Sequence, residues 1–234
     1  MTLDDRLLPL APANRAGLLI NAVVFDMDGL LLDTESMARD ALRVCGKSIG
    51  LDLPDCVLQL LIGLPADACH ALLRDRFGKD VPTEALFEAC AVRLVEQIDA
   101  GALQLKPGAV ELLDRLEAVG VPSAVATSSS RQKALHRLQA GGIRERFEAV
   151  VTRDDVARGK PYPDLYLRAA AALGFAPHRC LALEESYHGV RAAHAAGMPV
   201  AMVPDLLQAT DEMRAKCRVI VDDPHGIVPL FGPG

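Results

Sequence analysis

Two carboxylates, Asp26 and Asp28, stand one residue apart at the end of the apolar run Val23-Val24-Phe25, and Gly29 follows them. Along a strand, residues two apart share a face, so just past its end both acids can converge on one small pocket. Carboxylates that close repel each other, and a stable site then needs a cation, or a proton on one of them. A divalent metal beside one nucleophilic and one proton-handling aspartate meets that need. A plain polar turn closing the strand is the competing reading of the same residues.

Other apolar runs end in the same way. Val125-Ala126 leads into Thr127-Ser128-Ser129-Ser130, where a hydroxyl and backbone N–H groups ahead of a helix can hold a phosphate. A serine-rich helix cap would look identical. Leu181-Ala182-Leu183 leads into Glu184-Glu185-Ser186. With Asp26, these acids can complete an oxygen-only cage for Mg²⁺, although adjacent glutamates elsewhere usually mark a solvated surface. In Gly159-Lys160-Pro161-Tyr162-Pro163-Asp164, a lysine framed by glycine and proline can serve as a fixed cation for a phosphate and a nucleophilic carboxylate. An exposed lysine in a proline-rich loop is the alternative. Asp164 reads as a local cap or turn partner.

The elements that must position these residues follow from periodicity. From about Asp33 to Leu105 the pattern is helical, with Leu86, Cys90, Leu94 and Ile98 at helical spacing and Phe87, Ala91 and Val95 beside them. Gly46, Gly50, Gly63, Gly78 and Pro82 divide this stretch into short helices. It reads as an all-helical module inserted near the start of the chain. Beyond Lys106, strands alternate with helices. Pro107 opens a helix with Val110, Leu113, Leu116 and Val119 expected on one face, and strands are expected at 121–127, 149–151, 180–183, 200–203 and 219–221. Helices are expected at 133–140, 164–173 and 190–196. The fold class is therefore α/β, a Rossmann-like parallel sheet with helices on both faces. The expected division is a core of residues 1–36 and 105–234 and a helical domain of 37–104. In such sheets the site lies at the carboxyl ends of the strands.

With 234 residues, 50% of them hydrophobic, the chain can bury a large core. A net charge of −6 argues against a broad nucleic-acid surface, so an anionic ligand needs local positive groups or a metal. Cys45, Cys56, Cys69, Cys90, Cys180 and Cys217 show no zinc-type spacing. They read as reduced, mostly buried thiols of a cytoplasmic protein. The first residues lack a signal-peptide pattern, and the apolar stretch 17–25 is too short to cross a membrane. No membrane or nucleic-acid partner is expected, and the oligomeric expectation is a monomer or weak dimer. Five of the six histidines, His70, His136, His178, His188 and His194, are scattered and read as surface or capping residues; of these, His188 follows the acidic loop closely.

In combination these motifs resemble the haloacid dehalogenase-like (HAD) superfamily of aspartate-nucleophile hydrolases, in the group with a helical cap inserted after the first motif. β-Phosphoglucomutase and phosphoglycolate phosphatase belong to that group. The resemblance runs from about Ala22 to Val203 and rests on Phe25-Asp26-Met27-Asp28-Gly29-Leu30, Thr127, Lys160-Pro161 and the stretch from Glu184 to Met198. It implies that Asp26 attacks phosphorus, and that Asp28 protonates the leaving oxygen and then activates water. It implies that Thr127, Ser128 and Lys160 hold the phosphoryl group. Mg²⁺ is implied on Asp26, Glu184, Glu185 and the backbone carbonyl of Asp28. The expected activity is Mg²⁺-dependent hydrolysis of a small phosphorylated metabolite through an aspartyl-phosphate.

The family usually carries Glu-Asp-Ser where this chain has Glu184-Glu185-Ser186. The extra methylene places an oxygen less rigidly, and Mg²⁺ demands near-octahedral geometry. A catalytically weakened HAD-like binding protein is therefore one alternative. A sugar-phosphate mutase is another, but its cap arginine is expected where this chain has Ala66, in the loop Gly63-Leu64-Pro65-Ala66 that would select the substrate. Phosphonate-cleaving relatives need a cap lysine, for which Lys47 is the nearest candidate, in surroundings not suited to it. The dehalogenases lack an acid at the position of Asp28. A simple phosphatase leads.

Overall fold

A computed structural model describes residues 20–61 and 66–232. The chain forms two compact units, one of Asp33–Gln104 and one of the chain up to Leu32 and from Leu105 onward.

In the second of these, β1 (Ala22–Phe25), β2 (Ser123–Ala126), β3 (Ala149–Val151), β4 (Cys180–Glu184), β5 (Val200–Met202) and β6 (Val219–Ile220) form a six-stranded sheet in the order β3-β2-β1-β4-β5-β6. Every pairing is parallel. β1 and β4 are buried along their whole length, β1 as an unbroken apolar run and β4 as one that ends in Glu184, as strands in a doubly covered parallel sheet should be. Ala22, Val24, Ala124, Ala126 and Ala182 face a core built with Leu165, Tyr166, Ala169 and Val190. Phe25, one residue out of phase and so on the other face, meets Phe147 edge-on with centroids 5.9 Å apart. The chain winds outward from β1 in one direction through β2 and β3 and in the other through β4 to β6. That reversal opens a crevice at the carboxyl ends of β1 and β4.

The covering helices alternate with the strands along the chain. They are α5 (Ala109–Ala118), α6 (Arg131–Ala140), α7 (Asp164–Leu173), α8 (Tyr187–Ala195) and α9 (Asp211–Lys216). The other unit holds α1 (Thr34–Ser48), α2 (Asp55–Leu61), α3 (Ala66–Phe77) and α4 (Thr83–Asp99). Ala41, Cys45, Val57, Leu73, Leu86 and Cys90 are part of its core. Leu94 and Ile98 are buried too, but Val95 beside them is exposed. α1 opens at Thr34, ahead of the boundary at residue 37 suggested by the pattern. Gly63, Leu64 and Pro65 of the expected substrate-selecting loop lie outside the described residues, and Ala66 is the first residue of α3. No described helix is long and apolar enough to cross a membrane, and all six cysteines are free thiols.

α5 corrects one expectation. It buries Ala109, Leu112, Leu113 and Leu116, while Val110 is 37% and Val119 38% exposed. Nine residues at 3.6 per turn rotate a helix by two and a half turns, so Val110 and Val119 point in opposite directions, about 180° apart. A run at a constant spacing of three cannot be one face. Leu116→Ala is therefore expected to cost about 2–5 kcal/mol in urea unfolding. Val110→Ala and Val119→Ala are expected to stay within about 0.5 kcal/mol. A cost at Val119 matching that at Leu116 would contradict this packing.

Candidate active site

The strand end after β1 stays tied to the sheet for one more residue, since the Asp26 N–H donates to the Leu183 carbonyl at 3.0 Å. Asp26 is thereby fixed and buried at 5% exposure. The chain then closes into a turn in which the Leu31 and Leu32 N–H groups both donate to the Met27 carbonyl. Gly29 takes φ 86°, a conformation that costs glycine little. The motif is thus both a turn and a buried carboxylate site.

Lys160 arrives from a loop braced by Arg153, whose guanidinium donates to the carbonyls of Val156 (2.8 Å) and Ala157 (3.3 Å). Its side chain is only 4% exposed, and its ammonium donates to both Asp26 Oδ1 and Glu184 Oε1. The loop lysine is therefore an internal cation rather than a solvated one. It also lies 5.2 Å from the centroid of the Tyr166 ring.

Glu184 closes β4 and is fully buried. Oε1 accepts from Lys160 and from the Tyr166 hydroxyl at 2.5 Å. Oε2 accepts from the N–H groups of Glu185 and Ser186, each at 3.1 Å, and from Ser186 Oγ at 2.9 Å. Ser186 also caps α8, its Oγ accepting from the Gly189 N–H at 3.1 Å. The carboxylate lies so close to the first turn of α8 that a Cβ on Gly189 would fall 1.7 Å from Glu184 Oε1.

Glu185 differs from its neighbour. Its Oε2 is buried and has no hydrogen-bond partner among the described residues. One oxygen each from Asp26, Glu184 and Glu185 lie within 4.8 Å of one another. Hard oxygen donors gathered around one unsatisfied buried atom suit a divalent cation. The extra methylene of Glu185 does not take its oxygen out of that cluster.

The electrostatics reflect three acids sharing one lysine. Burial, with Glu184 adding its charge, raises Asp26 from 3.8 to about 7 despite the opposing pull of Lys160. Burial and the charges of Asp26 and Glu184 push Glu185 well above its ordinary range. For Glu184, burial is outweighed by Lys160 and the hydrogen bonds, and its carboxyl is lowered. For Lys160, burial is outweighed by Asp26 and Glu184, and its ammonium is held above its usual value.

The β2 end completes the crevice. Thr127 is buried, its N–H donating to the Val151 carbonyl at 2.9 Å, and its Oγ1 accepts from the Ser129 N–H at 3.0 Å. Ser128 is exposed beside it, and Ser130 is the residue ahead of α6. The Asp28 side chain is not in the acidic cluster. Its Oδ1 accepts from Arg137 at 2.6 Å and its Oδ2 from Ser129 Oγ at 2.8 Å. The Asp28 carboxylate is therefore bound by Arg137 and Ser129 and does not join Asp26, Glu184 and Glu185 in their cluster.

Tyr166 and Arg137 contact the site but belong to no motif read from the sequence; Ser129 and Gly189 lie within such motifs, without a role of their own in them. Tyr166 sits on the apolar face of α7, where its hydroxyl gives no periodic signal. Arg137 reaches Asp28 across 109 positions of sequence. Asp164 starts α7 and pairs with Arg158, as a local partner should. His188 is exposed, and His70 bonds to Thr83 at 2.8 Å in the helical unit.

A parallel sheet wound in this order thus gathers a buried aspartate, a lysine and two glutamates at its switch point, the place where α/β enzymes of this topology bind their ligands. The model of the haloacid dehalogenase-like hydrolase family matches residues 20–197, and the chain belongs to that family. Within it, the chain falls in the group of phosphatases and β-phosphoglucomutases. Protein CbbY of Rhodobacter capsulatus is 35% identical over 208 residues, covering 84% of this chain and 90% of that protein. The phosphorylated carbohydrates phosphatase of Thermotoga maritima is 31% identical over 187 residues, covering 76% and 82%. Among solved structures, CbbY from Rhodobacter sphaeroides in complex with xylulose-(1,5)bisphosphate aligns with a TM-score of 0.72 at 27% identity, covering 89% of this chain and 96% of that one.

Two outcomes follow from this geometry. Because Asp26 binds its proton more tightly in the folded protein than in the unfolded chain, stability is lost as pH rises from 3.8 to about 7. Metal-free Asp26→Asn protein is therefore expected to melt above the metal-free parent at pH 8, by roughly 2–4 °C for each kcal/mol relieved. The difference should shrink towards pH 4, and a constant difference across that window would contradict the assignment. Gly189→Ala should displace the Glu184 carboxylate and lower the affinity for a divalent metal in calorimetry by about tenfold or more, the scale of disturbing a ligand's support. Unchanged affinity would show that α8 can shift away without cost.

Proposed function

We propose that this protein is a Mg²⁺-dependent phosphatase that hydrolyses a small phosphomonoester, a sugar phosphate or similar metabolite, through an aspartyl-phosphate. The observation that carries this reading is the buried Asp26 hydrogen-bonded to Lys160 at the sheet's switch point, with Glu184 and Glu185 beside it. A carboxylate can approach an anionic phosphoryl group only where nearby positive charge offsets the repulsion. The named activity of the Thermotoga relative and the sugar bisphosphate bound to the Rhodobacter sphaeroides protein support this substrate class.

The residues divide the work as follows. Lys160, the Thr127 hydroxyl and the Ser128 N–H hold the phosphoryl oxygens in line with Asp26. An Asp26 oxygen attacks phosphorus, the bond to the leaving oxygen breaks, and Asp28 gives that oxygen its proton. Water then attacks the aspartyl-phosphate, its proton passes to Asp28, and the bond to Asp26 breaks to release inorganic phosphate. Mg²⁺, held by Asp26, Glu184, Glu185 and the Asp28 carbonyl, would neutralise charge on the transferring oxygens. Tyr166 and Ser186 keep Glu184 oriented for that role.

The test is phosphate release from a panel of sugar phosphates, phosphoglycolate and nucleotides, with Mg²⁺, with chelator and with Asp26→Asn. Release that chelator abolishes, and that Asp26→Asn lowers by roughly 10³-fold or more, is the expected result. Release that survives chelator or the substitution would overturn it. Isomerised sugar phosphate without free phosphate would instead mark a mutase, and no turnover at all a metal site weakened by Glu185.

A further inference from the structure

Asp28 is held from a direction that the hydrolytic scheme does not require. Arg137 lies in the second turn of α6, and its Nη1 donates to Asp28 Oδ1 at 2.6 Å. Ser129 Oγ takes the other carboxylate oxygen at 2.8 Å, and Arg137 Nη1 lies 3.3 Å from that same Oγ. Both oxygens of Asp28 are thus fixed by groups that are also joined to each other. The pair is partly shielded, with side chains 15% and 22% exposed. A charge-assisted bond in that setting sets geometry more firmly than an exposed one.

The helix that carries Arg137 is itself wedged in place. At its end, a Cβ on Gly141 would fall 2.9 Å from Leu32 Cδ2 and 3.5 Å from Leu105 Cδ2. Leu32 closes the turn that contains Asp28, and Leu32 and Leu105 form an isolated antiparallel bridge. α6 therefore grips this turn twice, by packing at Leu32 and by charge at Asp28.

We infer that Arg137 is a positioning residue, which with Ser129 aims the Asp28 carboxyl group for proton transfer to the leaving oxygen. This rests on the hydrolase reading above. It separates Arg137 from the groups that hold the phosphoryl oxygens. Its loss should leave phosphate binding intact and impair proton delivery, and that defect matters most when the leaving group is poor. A guanidinium that merely tied α6 to the β1 turn would affect all substrates alike.

The experiment compares p-nitrophenyl phosphate, whose leaving group departs without help, with phenyl phosphate, whose leaving group needs a proton. Parent, Arg137→Met, Arg137→Lys, Asp28→Asn and the Asp28→Asn/Arg137→Met double variant are assayed with Mg²⁺. Arg137→Met is expected to lower kcat/KM for phenyl phosphate about tenfold or more, and for p-nitrophenyl phosphate by less than about threefold, towards the pattern of a lost general acid. Arg137→Lys should restore part of the loss, because one charged donor remains. On the Asp28→Asn background, Arg137→Met should add less than about twofold, since residues acting as one unit are not additive. Should Arg137→Met fail to fold, Ser129→Ala removes the other anchor and is expected to show the same leaving-group bias. Equal losses on both esters, or a full further loss in the double variant, would overturn the inference and leave the hydrolase reading standing. A parent that releases phosphate from neither ester nor from any member of the metabolite panel would overturn both.

Discussion

The ammonium of Lys160, buried between Asp26 and Glu184, is the contact on which the rest of this site depends. An unpaired charge at that depth would carry a penalty of several kcal/mol. Lys160 therefore needs its carboxylates, and they need it. The requirement reaches into the scaffold. Arg153 braces the lysine's loop, Tyr166 and the start of α8 hold Glu184, and the sheet itself holds Asp26 through the Leu183 carbonyl. One cation cannot balance three carboxylates, however. The remainder shows in the raised Asp26 and Glu185 and in a buried Glu185 oxygen with no hydrogen-bond partner among the described residues. That imbalance is the physical argument for a divalent metal, and it does not depend on likeness to any other protein.

Much of the fold was legible because its signals are local. Apolar runs such as Val23-Val24-Phe25 and Leu181-Ala182-Leu183 are long enough only for strands, and each runs into a carboxylate, Asp26 or Glu184, that marks where the apolar pattern ends. Alternation with helices then demanded a parallel sheet, and a parallel sheet brings such strand ends together. Asp26, Thr127 and Glu184 could be named for that reason, and Lys160 from the glycine and proline that frame it. The face of α5 was misread because Val110 and Val119 were joined by a spacing that a real helix does not keep on one side.

What was not legible depends on contacts distant in sequence or on missing atoms. Nothing in the neighbours of Arg137 announces a carboxylate, because its partner comes from a turn 109 positions earlier. Tyr166 occupies a position that any large apolar residue could fill, and only its hydroxyl matters to Glu184. Gly189 is informative for what it lacks, since a side chain there would occupy the place of the Glu184 carboxylate. The replacement of the family's usual aspartate by Glu185 suggested a looser metal site, yet the longer side chain still brings an oxygen into the acidic cluster.

The central claim, that surplus buried negative charge makes a cation site of Asp26, Glu184 and Glu185, is tested most directly by thermal unfolding. The parent and Glu185→Gln would be melted at neutral pH across a Mg²⁺ titration up to about 10 mM, with chelator as the zero point. A ligand that binds only the folded state stabilises it logarithmically with concentration. The parent Tm should therefore climb with Mg²⁺, and the climb should be largely lost in Glu185→Gln. A parent Tm indifferent to Mg²⁺, or an equal climb in both proteins, would contradict the account.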